Sequence, residues 1–165
     1  MSNHRDHHER KPAFLQLRAP PRAWVVRRYY ADMACSKPRY SVAVRRTLIA
    51  QHFLVGGDFG AENERNSHQF VIEARYAGSQ LNELGFLVDI AAVGAALDAL
   101  IDRYRDRTLN DLPEFEGLNP SVEHFAQVLS DRLAIAEPNV DELLVTVWED
   151  DDAWAAYRRP LPISA

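Results

Sequence analysis

The sequence predicts an α+β domain: a four-stranded antiparallel sheet with two helices on one face, in the order strand, strand, helix, helix, strand, strand. Three observations predict it. Two long stretches, starting near Tyr40 and His68, alternate apolar and polar residues as half-buried strands do. Two stretches with apolar residues every three or four positions follow, the pattern of helices with one buried stripe. Two shorter alternating stretches then complete the pattern.

The first strand, Tyr40 to Leu54, carries Val42, Val44, Leu48, Ala50, His52 and Leu54 on one face and Ser41, Arg45, Thr47 and Gln51 on the other. Gly56-Gly57-Asp58 breaks it and opens a loop through Asn66. The second strand, His68 to Ala77, sets His68, Phe70, Ile72, Ala74 and Tyr76 against Gln69, Glu73 and Arg75, and the two strands are expected to pair antiparallel. Asp89 suits the N-cap of a first helix, striped by Ile90, Val93, Leu97, Leu100, Ile101 and Tyr104 and ending near Arg105. A connector containing Asp111-Leu112-Pro113 and Asn119-Pro120 leads to a second helix, begun by Pro120 and Ser121 and striped by Val122, Phe125, Val128, Leu129 and Leu133. Leu143, Val145 and Val147 mark a third strand that ends at Glu149. After the turn Asp150-Asp151-Asp152, a fourth covers Trp154 to Arg159. The edges of so small a sheet are commonly covered by a copy of the same chain, so a homo-oligomer is expected.

Composition narrows the function classes. With 165 residues, 47% hydrophobic and 26% charged, the chain suits one globular domain and a short appendage. No apolar run approaches the roughly 18 residues that cross a bilayer, so no membrane partner is expected. The lone Cys35 excludes an internal disulfide and fits a reducing, cytoplasmic setting. Residues 1–32 hold seven Arg/Lys and three Asp/Glu, a balance of +4, which leaves −9 on residues 33–165. That stretch also contains His4, His7 and His8. A basic arm can bind nucleic acid and a histidine cluster can bind metal. The preferred reading is a tail that no core needs, with no nucleic-acid partner. Residues 1–38 are thus read as a disordered basic tail or as an over-extended start with Met33 the first residue, and 39–165 as the domain.

His52 and His68 share the apolar face of adjacent strands, one at a strand end and one at a strand start. Hairpin pairing brings both imidazoles to the same end of the sheet, and Asn66 has the same parity. Catalytic zinc takes three protein ligands and leaves a fourth position open. The histidines supply two, and Asn66 is a neutral, weakly basic donor. Glu62 and Glu64, in the loop before it, offer a carboxylate, and two histidines with a carboxylate suit zinc or Fe(II). The competing reading is a pair of ordinary half-buried histidines.

Ala50-Gln51-His52, Asn66-Ser67-His68-Gln69-Phe70, Val88-Asp89, Leu109-Asn110-Asp111, Asn119-Pro120-Ser121-Val122-Glu123 and Glu149 occur in the order and spacing of a known family. Over roughly Tyr40 to Pro160 the chain resembles the 6-pyruvoyl-tetrahydropterin synthase and 6-carboxy-tetrahydropterin synthase family. The resemblance implies the tunnelling fold and a zinc held by three histidines. It also implies strands paired across subunits into a barrel, with a hexamer expected and sites at the interfaces. The implied activity is a pterin-processing lyase acting on 7,8-dihydroneopterin triphosphate or a related pterin, as in queuosine biosynthesis.

The chain departs from the family at several of its working positions. Asn66 stands where the family's His-Gly-His-x-Phe has its first histidine, so the implied metal set is His52, His68 and Asn66. By ungapped count the family's cysteine falls on Glu62, and its Asp-His pair falls on Arg105 and Asp106. These three are the catalytic candidates. Glu149 is the implied grip on the guanidine-like edge of the pterin, and Ser121 joins it as a substrate-binding residue. Glu62 is favoured over Asn66 as third metal ligand, since an anionic oxygen offsets the ion's charge, and the two imidazole nitrogens are expected within about 3–4 Å of each other. Arg105 and Arg107 are read equally as helix C-terminal cations or as a grip on an anionic tail. His124 is expected to be exposed or to cap the second helix. Two alternatives stand beside the lyase: a divergent member that binds a pterin or purine-like ring without this chemistry, and a non-catalytic oligomeric binding protein.

Overall fold

Alternation along the first half of the domain produces two thirteen-residue strands, β1 (Tyr40–His52) and β2 (Asn66–Gly78), in the computed structural model, which describes residues 38–134 and 137–162. Helix α1 (Ile90–Tyr104) and helix α2 (Val122–Leu133) follow, then β3 (Glu142–Trp148) and β4 (Trp154–Pro160). The strands form one antiparallel sheet in the order β1-β2-β3-β4, and both helices pack on the face that carries Leu48, Phe70, Ile72, Val145 and Val147. The expected fold is the observed one. The tail reading, with Cys35 and the early histidines, lies outside the described residues.

Each helix begins where its cap residue dictates. Asp89 Oδ1 accepts from the Ala91 N–H at 2.8 Å, and Ser121 Oγ accepts from the His124 N–H at 3.3 Å. Val93, Leu97, Ile101 and Tyr104 from α1 and Phe125, Leu129 and Leu133 from α2 are buried against the sheet. Each such side chain contributes about 1.5–3 kcal/mol by leaving water. Tyr76, wholly buried, donates its hydroxyl to the Leu133 carbonyl at 2.8 Å, and burial pushes its phenol up to about 12. No helix among the described residues is long and apolar enough to cross a membrane.

β1 stops at His52 rather than Leu54, for a local reason. The Phe53 N–H donates to Asn110 Oδ1 at 3.0 Å, and the Phe53 carbonyl accepts from Asn110 Nδ2 at 2.8 Å. Asn119 treats Val55 the same way, at 2.9 Å in both directions. Two side-chain amides thus replace a neighbouring strand, and the chain after His52 is clasped to the connector between the helices. Asn110→Ala leaves two half-buried backbone groups unpaired, which costs about 1–3 kcal/mol. Urea unfolding checks this, with a drop in midpoint at unchanged slope expected.

A second clasp joins the helices. Glu114 Oε1 accepts from Arg103 Nε at 2.5 Å, Arg132 at 2.8 Å and the Tyr104 hydroxyl at 3.1 Å, with its side chain 9% exposed. The hydrogen bond from Arg103 is the largest of the influences that pull the Glu114 carboxyl from 4.5 down to about 2. A depressed carboxylate adds stability that is complete above its unfolded value and vanishes as pH falls through the folded one. Both arginines are about 40% exposed, so solvent screening reduces the contribution to about 1–2 kcal/mol. Glu114→Gln is therefore expected to lower stability by that amount at neutral pH. Thermal melts from pH 6 downward check it: the gap between variant and parent should close between pH 4.5 and about 2.

Candidate metal centre

Strand register assembles the site. His52 pairs with Asn66 and Ala50 with His68, so His52, Asn66 and His68 leave the core face at one end of the β1–β2 hairpin. β3 runs antiparallel beside β2 with Trp148 opposite Val71, and Glu149 follows on the parity of the buried Val145 and Val147. The carboxylate of a strand end is thereby carried to the two imidazoles. The imidazole rings stand edge-on with centroids 4.9 Å apart, each 5.7 Å from the Phe70 ring beneath them.

Protons can be placed from chemistry. His52 Nδ1 lies 2.9 Å from the Pro120 carbonyl oxygen. A carbonyl only accepts, so Nδ1 carries the proton, and in the neutral ring Nε2 presents its lone pair to the site. Asn66 Nδ2 donates to Glu62 Oε2 at 2.9 Å, which fixes the amide with nitrogen toward Glu62 and Oδ1 away from it. His52 Nε2 is 3.0 Å from Glu149 Oε1 and 3.8 Å from Glu62 Oε2; His68 Nε2 is 3.7 Å from Glu149 Oε1.

Among the described residues, the buried side-chain atoms without a hydrogen-bond partner are His52 Nε2, His68 Nε2, Asn66 Oδ1, Glu149 Oε1 and Glu114 Oε2. Four of the five belong to this one cluster. Burying a polar atom unpaired costs about 1–3 kcal/mol, and in the neutral ring His52 Nε2 faces Glu149 Oε1 as acceptor to acceptor. One divalent ion would satisfy three of these atoms at once. His52, His68 and Glu149 each offer a ligand atom, and those atoms lie within 4.8 Å of one another. Nitrogen and carboxylate donors of this kind fit zinc or another first-row divalent ion. His52, 3% exposed, has the carbonyl partner on its far nitrogen that orients a ligating imidazole.

The structure brings some expected residues together and leaves others apart. His52, Glu62, Ser121 and Glu149 line one cavity of about 290 Å³, walled also by Leu54, Val122 and Trp154. Ser121 caps α2 as well as facing this cavity. Glu62, favoured above as third ligand, holds the Asn66 amide and stands farther from His52 than Glu149 does. Glu64 is exposed and borders none of this. Arg105 and Asp106 are exposed at the end of α1 and do not line the cavity; Asp106, with φ of 57°, sends its N–H to the Ile49 carbonyl along the outer edge of β1. His124 rests against Phe115, with Nδ1 3.1 Å from the Asn119 carbonyl oxygen. The sequence reading missed Glu149 as a neighbour of the imidazoles. Its core-face parity was the available signal.

Residues 41–160 match the family model described as 6-pyruvoyl tetrahydropterin synthase. No curated protein matches the sequence. Among solved structures, the chain is similar to the 6-pyruvoyl tetrahydropterin synthase of Caenorhabditis elegans, at 19% identity and a TM-score of 0.62 over 75% of this chain and 99% of that one. It is similar to the Plasmodium vivax enzyme at 13% identity and a TM-score of 0.63, over 74% and 98%. Variants of that enzyme with alanine or cysteine in place of a catalytic glutamate are similar to the same degree. An uncharacterised protein of Wolinella succinogenes matches at 16% identity and a TM-score of 0.54, over 72% and 97%.

Proposed function

The chain belongs to the 6-pyruvoyl tetrahydropterin synthase family, and on that premise we propose that it is a pterin-processing lyase acting on 7,8-dihydroneopterin triphosphate or a related pterin. The observation that carries the reading is the convergence of His52 Nε2, His68 Nε2 and Glu149 Oε1, buried and partnerless, beside a cavity lined by Glu62 and Ser121. A bound zinc supplies Lewis acidity toward the side-chain oxygens of the substrate, which lowers the cost of removing a proton from the adjoining carbon.

The remaining work falls to the chain. Glu62 takes that proton as general base. By ungapped count it stands at the family's cysteine position, and the P. vivax relative has a glutamate as a catalytic residue. Asn66 steadies the carboxylate through its amide N–H. The Ser121 oxygen accepts from the His124 N–H, which leaves its own O–H to donate to substrate across the cavity. Glu149 grips the guanidine-like edge of the ring through paired N–H bonds. Arg105 and Asp106, exposed at the edge of β1, contribute only where subunits share a site, as in a hexameric ring.

Incubation with 7,8-dihydroneopterin triphosphate, followed by mass spectrometry, tests the reading. The expected result is loss of the triphosphate tail at a rate that falls at least about 100-fold when the base is removed. Recovery of intact substrate from protein that binds it would instead favour the divergent member that holds a pterin or purine-like ring without this chemistry.

A further inference from the structure

The carboxylate of Glu149 has two claims on it. One oxygen lies 3.0 Å from His52 Nε2 and 3.7 Å from His68 Nε2, among the acceptors that call for a cation. The same residue also lines a second cavity, of about 580 Å³, with Arg45, Gln69, Val71 and Trp148. Trp148 and Arg45 lie on the opposite face of the sheet, with the guanidinium 5.0 Å from the indole ring. Glu149 therefore stands at the lip of the sheet, bordering both spaces.

We propose that Glu149 is itself a ligand of the ion. In the resting protein the donor set is His52 Nε2, His68 Nε2, Asn66 Oδ1 and Glu149 Oε1, two nitrogens and two oxygens. This deepens the metal centre of the preceding reading and rests on it, but not on the pterin. Its consequence is regulatory. Catalytic metal sites keep one position open for water or substrate, whereas here a fourth protein donor closes that position. A molecule entering the cavity would then have to draw the Glu149 carboxylate away from the two imidazoles, which would couple occupation of the cavity to opening of the metal site. Asn66 belongs in the set because Glu62 holds its nitrogen and thereby leaves the buried oxygen as its free end.

The test uses the full-length chain loaded with Co²⁺, whose visible spectrum reports coordination number, and azide as an exogenous ligand. In the parent protein azide should leave the spectrum unchanged. In Glu149→Ala, Co²⁺ should bind more than about 100-fold more weakly, beyond the range for loss of an outer-shell partner, the spectrum should shift, and azide should then shift it again. Asn66→Ala should also weaken Co²⁺ by at least about 10-fold, whereas Asn66→Asp, which keeps an oxygen there, should not. Circular dichroism and melting curves of the metal-free variants exclude simple unfolding. If Glu149→Ala keeps both the affinity and the spectrum of the parent, or if azide shifts the two alike, the four-donor centre is wrong while the metal-dependent lyase stands. If the folded parent binds no Co²⁺, both readings fall together.

Discussion

Replacing Glu62 by glutamine is expected to reduce turnover by about 10²–10⁴-fold, the range that a positioned general base contributes, with bound metal nearly unchanged. The split follows from the geometry. The glutamine Oε1 can still accept from Asn66 Nδ2, where the carboxylate now does at 2.9 Å, so the amide keeps its orientation. What is lost is the capacity to take a proton. Steady-state kinetics with metal analysis of the same sample checks it. A variant that keeps its turnover removes Glu62 from the chemistry. A variant that loses metal in proportion to activity returns Glu62 to the ligand set.

The second large effect is at His52. Its ring is 3% exposed, fixed by the Pro120 carbonyl at 2.9 Å, and it meets Glu149 at 3.0 Å. His52→Ala removes one of the two nitrogen donors proposed for the ion and opens a void beside Phe70 and His68. Metal binding is expected to weaken by more than about 100-fold, beyond the range seen when only an outer-shell partner of a ligand is lost. Because an ion bound only to the folded state stabilises it by mass action, the melting temperature of the parent should rise with added Zn²⁺ and that of the variant should not. Calorimetric melts across a zinc titration make the comparison. An equal response in both proteins would place the ion elsewhere.

How much of this was legible depended on whether the signal was local. Alternation from Tyr40 and from His68 is a local property, and it alone places His52, Asn66 and His68 on one face. The end of β1 was not legible in that way. Leu54 continues the alternation, and what stops the strand is a pair of amides, Asn110 and Asn119, more than fifty residues away. Both asparagines were visible as motif residues, but their work as strand substitutes is a tertiary fact. Glu149 is a similar case. Its parity on β3 was readable, but its approach to the imidazoles follows from β3 docking beside β2, which is a tertiary fact. Glu114 had no signal at all, since the cations that hold it come from two different helices. Arg105 and Asp106 were singled out by counting along a motif, and within one chain they sit at the edge of β1, away from the cavity.

The lyase chemistry proposed here depends on a cation held at His52 and His68. The most direct measurement is therefore the metal content of untagged protein, purified without chelators and quantified by plasma mass spectrometry alongside His52→Ala. The account predicts about one divalent ion per chain in the parent and essentially none in the variant. A parent without stoichiometric metal, or a variant that keeps its full share, would contradict it.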